Sequence, residues 1–231
     1  MNIRQRALTL SLIALLGSAP LQAGGRNAPF PGQTTTATAT ELNTTEAEEL
    51  LFMREEEKLA RDIYLNAYEK WRYPVFLNIS RAEQSHMDTM ASKLESHGLE
   101  DPVTDDTVGV FANEELAALF QQLDAATADS LIEALKTGAL IEETDIADLQ
   151  QAIEDSTHPD VTLAYENLLR GSRNHLRAFV RQIEALGDAY EPEILSPEEV
   201  DAILEQPMER GGRGGRGPGG KRGGHGRGMG R

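Results

Sequence analysis

The sequence predicts an all-α fold, a four-helix bundle with short accessory helices. Apolar residues recur at helical spacing through almost all of residues 43–205, and stretches that alternate β-branched and polar residues are scarce. Helix start and stop signals divide this region into long and short segments. Amphipathic helices joined by short connections bury their apolar faces against one another, which is the architecture of a bundle.

The first two long helices have recognisable ends. The first is predicted at about 45–72, with Asn43 or Thr44 as its N-terminal cap and glutamates in its first turn, where the helix dipole favours negative charge. The second is predicted at about 75–97 and ends at Gly98, because glycine readily adopts the left-handed conformation that closes a helix.

The middle of the chain holds a loop and shorter helical segments. Residues 99–112 are predicted as a loop, followed by a short helix at 113–123. Another short helix is predicted at 129–138 and ends at Gly138. Residues 139–155 are either a third long helix or a continuation of that short one, and the periodicity leaves both alternatives open.

The last long helix and a final short helix both begin at proline. Pro159 opens a helix predicted at about 160–187, because proline fits the first turn, where the missing N–H group would have no helical partner. A short helix starts at 196–200, where Ser196 can cap it and Glu199 can complete a capping box.

The N-terminus has the composition of a secretory signal peptide. Residues 1–23 place Arg4 and Arg6 before an apolar run at 7–16, and Ala23 ends a cleavage signal of small residues. The mature protein is therefore expected to be exported, periplasmic or secreted, with no membrane span after cleavage. An uncleaved N-terminal anchor is the alternative.

Two segments of biased composition flank the helical region. Residues 24–42 are rich in Gly, Pro, Thr and Ala and are predicted to form a flexible linker. Residues 206–231 are rich in Gly and Arg and are expected to be disordered, because they cannot bury a core. A solubilising role is favoured for this tail. Anionic lipid, polysaccharide or the acidic body are the expected partners of such a tail on an exported chain.

Charge and cysteine usage narrow the range of functions. The chain has a net charge of −16, and residues 24–207 alone hold 13 basic and 37 acidic residues, a net charge of −24. An acidic body of this kind disfavours nucleic-acid binding. The chain has no cysteine, which excludes thiolate metal sites and thiol nucleophiles. Any metal must therefore be bound by oxygen and imidazole ligands.

Each long helix places one or two polar residues that can bind metal on or beside its apolar face. On the first helix Glu56 lies at the centre of the apolar arc and Glu57 lies on its edge, so Glu56 is the first choice. The other helices contribute Glu83 and His86, Glu142 with Asp145 one turn away on the flank, and His175.

Buried carboxylates beside histidines call for a cation. Several carboxylates together would repel one another, and burial would raise their pKa values further. Two iron or manganese ions would neutralise them, as in carboxylate-bridged bundle proteins. Taken singly, each residue also has an ordinary explanation: Glu56 as a surface acid, His86 as a hydrogen-bonded core histidine, and Tyr64 as core packing.

Four segments of the chain resemble one protein family. They are MREEEKLARDIY at 53–64, SRAEQSHMDTM at 80–90, GALIEETDIADL at 138–149 and GSRNHLRAF at 171–179. These segments are similar to a bacterial and archaeal family of the ferritin-like superfamily, domain of unknown function 2202, and the resemblance covers about 43–205. It implies a ferritin-like four-helix bundle with a di-metal carboxylate centre, in which each helix pair supplies a Glu and a Glu-x-x-His motif.

Applied to this sequence, the resemblance implies metal ligands from all four long helices. They are Glu56, Glu83, His86, Glu142 and His175. The motif is interrupted at Ser172, where the second Glu-x-x-His would have its glutamate. Asp145 is a candidate replacement that would restore four acids and two histidines. Without it, one metal position is weaker or the centre holds a single ion.

The expected cofactor is a pair of iron ions, or manganese, with zinc as a less specific occupant. The resemblance implies ferroxidase, peroxidase or oxygenase chemistry with dioxygen or peroxide. Tyr64 is the candidate redox-active or hydrogen-bonding neighbour of the metals. Two alternatives stay open: a metal-binding or storage module without turnover, and a helical interaction domain without metal. The sequence also leaves open the native metal, the substrate, and whether the chain forms a homo-oligomer.

Overall fold

A computed structural model describes residues 41–210, which contain six helices and no strand. The helices are α1 Thr44–Trp71, α2 Pro74–Ser96, α3 Glu114–Thr127, α4 Leu131–Asp155, α5 Pro159–Ala185 and α6 Pro197–Glu205. The all-α prediction is confirmed. None of the described helices combines the length and apolar character needed to cross a membrane. The predicted signal peptide, nearly all of the predicted linker and the tail beyond Arg210 lie outside the described residues.

Two pairs of long helices make the bundle. α1 packs along α2 and α4 packs along α5, and the very short connections within each pair require the two helices to run antiparallel. The pairs meet where α1 contacts α4 and where α2 contacts α5. The short helix α3 covers α1 and α4, while α6 lies on α5. This arrangement brings the middles of the four long helices together in one core.

Side-chain caps fix four of the helix starts, including that of α3, where the Asn113 side chain accepts two backbone N–H groups. The side chain of Asn43 accepts a hydrogen bond from the backbone of Glu46, whose carboxylate accepts one from the backbone of Asn43. Ser196 and its partner three residues on form the same reciprocal pair at the start of α6. Ser130 caps α4. These contacts satisfy backbone N–H groups that the first helical turn leaves without partners.

The third long helix passes through Gly138 instead of ending there. α4 is continuous from Leu131 to Asp155, so the predicted helix end at Gly138 is wrong and the continuation is correct. A Cβ atom on Gly138 would lie only 2.6 Å from the ring of Phe179 in α5. Glycine is needed here because the two helices are too close for a side chain, and packing outweighs its low helix propensity of about 1 kcal/mol.

The middle of α1 is buried on all sides, from residue 53 to residue 64. One side holds the loop between α2 and α3. There the Lys58 ammonium donates to Asp62 Oδ2 at 2.6 Å and to the carbonyl oxygen of Thr107 at 2.9 Å. The Glu55 carboxylate accepts two backbone N–H groups just before α3. The other sides of the same stretch face the bundle, so one short segment both anchors a loop and contributes to the core.

The chain remains attached to the bundle after α6. Glu209 forms ion pairs with Arg173 and Arg177 of α5, and its backbone exchanges two hydrogen bonds with the side chain of Asn174. Glu209, which lies in the segment that the sequence assigned to the tail, therefore contacts the folded body.

Candidate metal centre

Glu83 lies at the centre of the bundle, between two histidines from different helices. Its side chain is 2 % exposed. Oε2 lies 2.8 Å from Nδ1 of His86, one turn further along α2, and Oε1 lies 2.7 Å from Nδ1 of His175 in α5. The two imidazole rings are stacked with centroids 5.5 Å apart. One carboxylate therefore connects groups from two helices.

Two further carboxylates flank the histidines. Glu57 Oε2 of α1 lies 3.2 Å from Nδ1 of His86, and Glu142 Oε2 of α4 lies 3.4 Å from Nδ1 of His175. The ligand atoms form two clusters, each within 4.8 Å: Glu57, Glu83 and His86, and Glu83, Glu142 and His175. Donor atoms at adjacent positions on one ion, with bonds of about 2.1 Å, lie about 3.0–3.4 Å apart. The spacing suits two neighbouring ions that share Glu83.

Several donor atoms in these clusters are buried without a hydrogen-bond partner. They are Glu57 Oε1, Glu83 Oε1 and His175 Nδ1. The last two approach within 2.7 Å of each other but are not aligned for a hydrogen bond. A buried polar group left unsatisfied costs about 1–3 kcal/mol, and more when it is charged. A cation would satisfy these oxygen and imidazole donors together, so the residues present fit a metal ion.

Without a cation, protons must balance the charges of the site. Burial raises the pKa of Glu57 to about 8, although the charge of His86 opposes it. Burial and the charge of Glu83 raise the pKa of Glu142 to about 7. Burial acts to lower the pKa of His175, but Glu83 and Glu142 outweigh it and raise the pKa to about 10. Because metal ligands must lose such protons, metal binding and proton release are linked.

The metal-free protein is expected to lose stability between about pH 5.5 and about pH 8. Folding favours the protonated forms of Glu57 and Glu142, so their contribution is full below their usual pKa of 4.5 and declines towards pH 7 to 8. The contribution of His175 to stability is full below its usual pKa of 6.5 and is lost as pH rises through about 10. It therefore also falls with rising pH, as the contributions of the two glutamates do.

In EDTA we expect the Tm, measured by circular dichroism, to fall by at least about 4 °C over this interval, which corresponds to roughly 1–2 kcal/mol for a domain of this size. With Mn(II) in place of EDTA the fall should shrink, because the cation replaces the protons. A Tm in EDTA that rises with pH would contradict the charge balance described for this site.

Asp145 lies beside the clusters and is oriented by Ser172. The hydroxyl of Ser172 donates to Oδ2 of Asp145, while Oδ1 is buried without a hydrogen-bond partner. Burial and the charges of Glu57 and Glu142 raise the pKa of Asp145. Asp145 belongs to neither of the two clusters. The charges of Glu57 and Glu142, one from each cluster, nevertheless act on its carboxylate. The residue that interrupts the second Glu-x-x-His motif thus positions a carboxylate from the adjacent helix.

Glu56, the first choice on α1 from the sequence, belongs to neither cluster. Burial and the charges of Asp148 and Asp145 raise its pKa well above the usual value, so its carboxylate lies close to these two acids. Its neighbour Glu57 contacts His86 instead. A usable signal was present in the sequence, because Glu57 is seven residues before Tyr64 and therefore shares a side of α1 with it.

Tyr64 contacts the second cluster. Its hydroxyl donates to Glu142 Oε1 at 2.6 Å, and its ring lies 5.1 Å from the ring of Phe179 and 6.5 Å from that of Phe76, between centroids. Burial and the charge of Glu142 raise the pKa of Tyr64 well above 10. The phenol is therefore protonated and acts as a hydrogen-bond donor to a carboxylate of the site.

Gly171 leaves room for the His86 ring, and replacing it tests the first cluster. A Cβ atom there would lie 2.5 Å from Nε2 and 2.6 Å from Cε1 of His86. In Gly171→Ala the ring must move, which misaligns Nδ1 with Glu57 and Glu83. We expect metal content to fall from near two ions to near one per chain, while helix content stays unchanged because alanine favours helices. The exposed Glu166→Ala on the same helix is the control; full metal content in Gly171→Ala would contradict the assignment of His86.

The other described histidines lie at helix ends outside the site. His158 Nδ1 lies 2.9 Å from Glu46 Oε1, and His97 Nε2 lies 3.2 Å from Asp160 Oδ2. His158 thus contacts a carboxylate of α1 at the start of α5.

The fold and the clusters define an all-α bundle protein with buried carboxylate and histidine groups that could hold metal ions. The chain belongs to the family described as Uncharacterized protein domain (DUF2202), which matches residues 46–207. The predicted family membership is thereby confirmed.

A relative of known sequence and structure supports the same fold. Uncharacterized protein MJ0754 of Methanocaldococcus jannaschii is 46% identical over 166 residues, which span 72% of this chain and 90% of that protein. The crystal structure of hypothetical protein MJ0754 from Methanococcus jannaschii superposes with a TM-score of 0.72 at 42% sequence identity, and the match covers 79% of this chain and 100% of that one.

Proposed function

We propose that this chain is an exported, ferritin-like di-metal carboxylate protein that binds two iron ions, or manganese, and uses them in oxidation chemistry with dioxygen or peroxide. The observation that carries the proposal is the position of Glu83, which belongs to both clusters. A carboxylate common to two three-residue clusters is suited to bridge two ions, whereas a single ion would need only one of the clusters.

Each ion would have its own histidine and its own flanking carboxylate. His86 and Glu57 would hold one ion, and His175 and Glu142 would hold the other, with Glu83 between them. Asp145, held by Ser172, would supply the fourth carboxylate in place of the glutamate that the motif lacks. Glu57 takes the role that the sequence alone assigned to Glu56.

The ligand set is compatible with redox-active ions. Imidazole and carboxylate donors without thiolate suit iron and manganese. When bound, such a pair of ions supplies electron transfer to oxygen species. The chain itself orients the ligands: Tyr64 directs Glu142 through its hydrogen bond, and the surrounding helices exclude water from the buried carboxylates. A homo-oligomer is compatible with this role, and nucleic-acid binding by the acidic body is not expected.

The test compares catalysis with storage. Purified protein is loaded anaerobically with two equivalents of Fe(II) and mixed with dioxygen or hydrogen peroxide. We expect Fe(II) oxidation faster than in protein-free buffer, repeated over many added equivalents. Stoichiometric binding without faster oxidation would instead support the storage alternative. No binding of iron or manganese would contradict the whole proposal and favour a helical interaction domain.

Tyr64→Phe separates metal binding from reactivity. The change removes one hydrogen bond to Glu142 and keeps the aromatic ring that packs on Phe179. A hydrogen bond to a charged group contributes about 1.5–3 kcal/mol, and about 1.4 kcal/mol corresponds to a factor of ten in rate. We expect two metals per chain as before and Fe(II) oxidation about tenfold slower in stopped-flow absorbance. Tyr190→Phe, which changes a tyrosine bonded to Glu143 instead, is the matched control. An unchanged rate of Fe(II) oxidation in Tyr64→Phe would show that Tyr64 has no role in the reaction.

A further inference from the structure

A groove runs between α2 and α5 and reaches the candidate metal centre. It has a volume of about 540 Å³ and His175 lies in its wall. That volume lies within the range of about 300–1,000 Å³ typical of small-molecule sites. The groove is therefore large enough for an organic molecule and ends beside a residue that the proposed function assigns to a metal.

The lining of the groove is mainly apolar. Val75, Ile79, Ala178 and Met208 contribute aliphatic surface, and no acidic, Lys or Arg side chain is found among its described lining residues. This contrasts with the net charge of −24 over residues 24–207. The charge of the lining residue His175 is already balanced by Glu83 and Glu142, so an ion in the groove would lose its hydration without gaining an unpaired charged partner, which is costly. The lining therefore favours an uncharged molecule.

A few polar side chains at the groove can orient a bound molecule. Asn78 lies at the groove, and the Gln182 side chain accepts a hydrogen bond from the Tyr73 hydroxyl at 2.8 Å through its oxygen, which leaves its NH2 group as a donor. Apolar walls with a small number of polar side chains are typical of ligand sites, in which the walls give affinity and the polar groups give orientation.

The C-terminal end of the described chain forms one wall. Met208 lines the groove, and the next residue, Glu209, is fastened to Arg173, Arg177 and Asn174. The wall is thus held in place by ion pairs. The following segment, 211–231, consists mainly of Gly and Arg, so its composition is unsuited to filling an apolar groove.

We infer that this groove binds an uncharged, largely apolar organic molecule of the size typical of small-molecule ligands, and that such molecules are the substrate class of the centre. The assignment of this molecule as a substrate rests on the proposed function. Its binding in the groove is inferred from the lining residues alone. His175 is the point at which the bound molecule comes next to the metal ligands.

The test uses 4-fluorophenol as the probe and 19F NMR as the readout, on the full mature chain. We expect a saturable change in the 19F signal in metal-free protein. The Ala178→Phe variant, which fills the groove from α5, should weaken binding at least tenfold. Leu163→Phe is the matched control, because Leu163 is 57% exposed on the same helix and outside the groove. Val75→Phe fills the groove from α2 and serves as the second variant if Ala178→Phe does not fold.

Metal loading then tests the position of the probe. Mn(II) broadens the signal of nearby fluorine nuclei and Zn(II) does not, so extra broadening with Mn(II) is expected. Absence of saturable binding, binding unaffected by both groove-filling variants, or equal line widths in protein shown to hold bound Mn(II) and bound Zn(II) would each overturn the inference. A chain that takes up no metal but binds the probe in the groove would contradict the proposed function alone. Conversely, a chain that binds two metals but no probe would contradict the groove inference alone.

Discussion

Glu83→Gln is expected to remove both metal ions from the protein. Glu83 is the residue common to the two clusters, within 2.8 Å of His86 and 2.7 Å of His175. Glutamine has nearly the same shape but carries no negative charge, and it offers only one oxygen where two are needed. Metal content, measured by plasma mass spectrometry after reconstitution and desalting, should fall from near two to near zero per chain. The helical circular dichroism spectrum should stay unchanged.

Three further variants complete this comparison. Glu95→Gln makes the same chemical change at an exposed position of α2 and should keep both ions. Glu57→Gln should lose one ion, because Glu57 belongs to one cluster only. Glu56→Gln should keep both, because Glu56 belongs to neither. Retention of two ions in Glu83→Gln would refute the shared position of this residue, and loss of metal in Glu56→Gln would restore the assignment made from the sequence.

Asp62→Ala is expected to produce the largest loss of stability. Asp62 accepts hydrogen bonds from Lys58 and Arg61, and the side chain of Lys58 is fully buried. Removing one partner of a buried ion pair leaves an uncompensated charge and costs about 3–5 kcal/mol. For a domain of this size that corresponds to a fall in Tm of about 6–20 °C.

The measurement is thermal unfolding of the metal-free variant, so that metal binding does not mask the change. Asp129→Ala is the control, since Asp129 is exposed at the end of α3, and its Tm should change by less than about 2 °C. A Tm of Asp62→Ala close to that of the parent protein would mean that the loop between α2 and α3 is not held by this pair.

The helical architecture could be predicted because its signals are local. The capping residues Asn43 and Ser196 act on the backbone within three residues, and the apolar periodicity of each long helix is contained in that helix. Gly138 shows the limit of local reasoning. Its role depends on Phe179, which lies in another helix, and no rule about helix ends contains that contact.

The candidate site could be predicted in part for the same reason. Glu83 and His86 stand on one apolar stripe of α2, and His175 stands on that of α5, so periodicity alone brings them inward. On α1 the same reasoning selects Glu56, which belongs to neither cluster, and there the loop after α2 covers a side of the helix that would otherwise be solvated. With residues 53–64 buried all round, an apolar arc no longer indicates which side faces the other ligands. The apolar arc alone therefore does not decide between Glu56 and Glu57, and only the side that Glu57 shares with Tyr64 favours Glu57 in the sequence.

The most direct test of the central claim is an anomalous-scattering map from crystals of the protein grown with Mn(II). Two peaks are expected, separated by about 3.5–4 Å as in other two-metal sites. One should lie among Glu57, Glu83 and His86, and the other among Glu83, Glu142 and His175. A map without a peak in either cluster, from crystals in which Mn(II) is present at saturating concentration, would contradict the di-metal account.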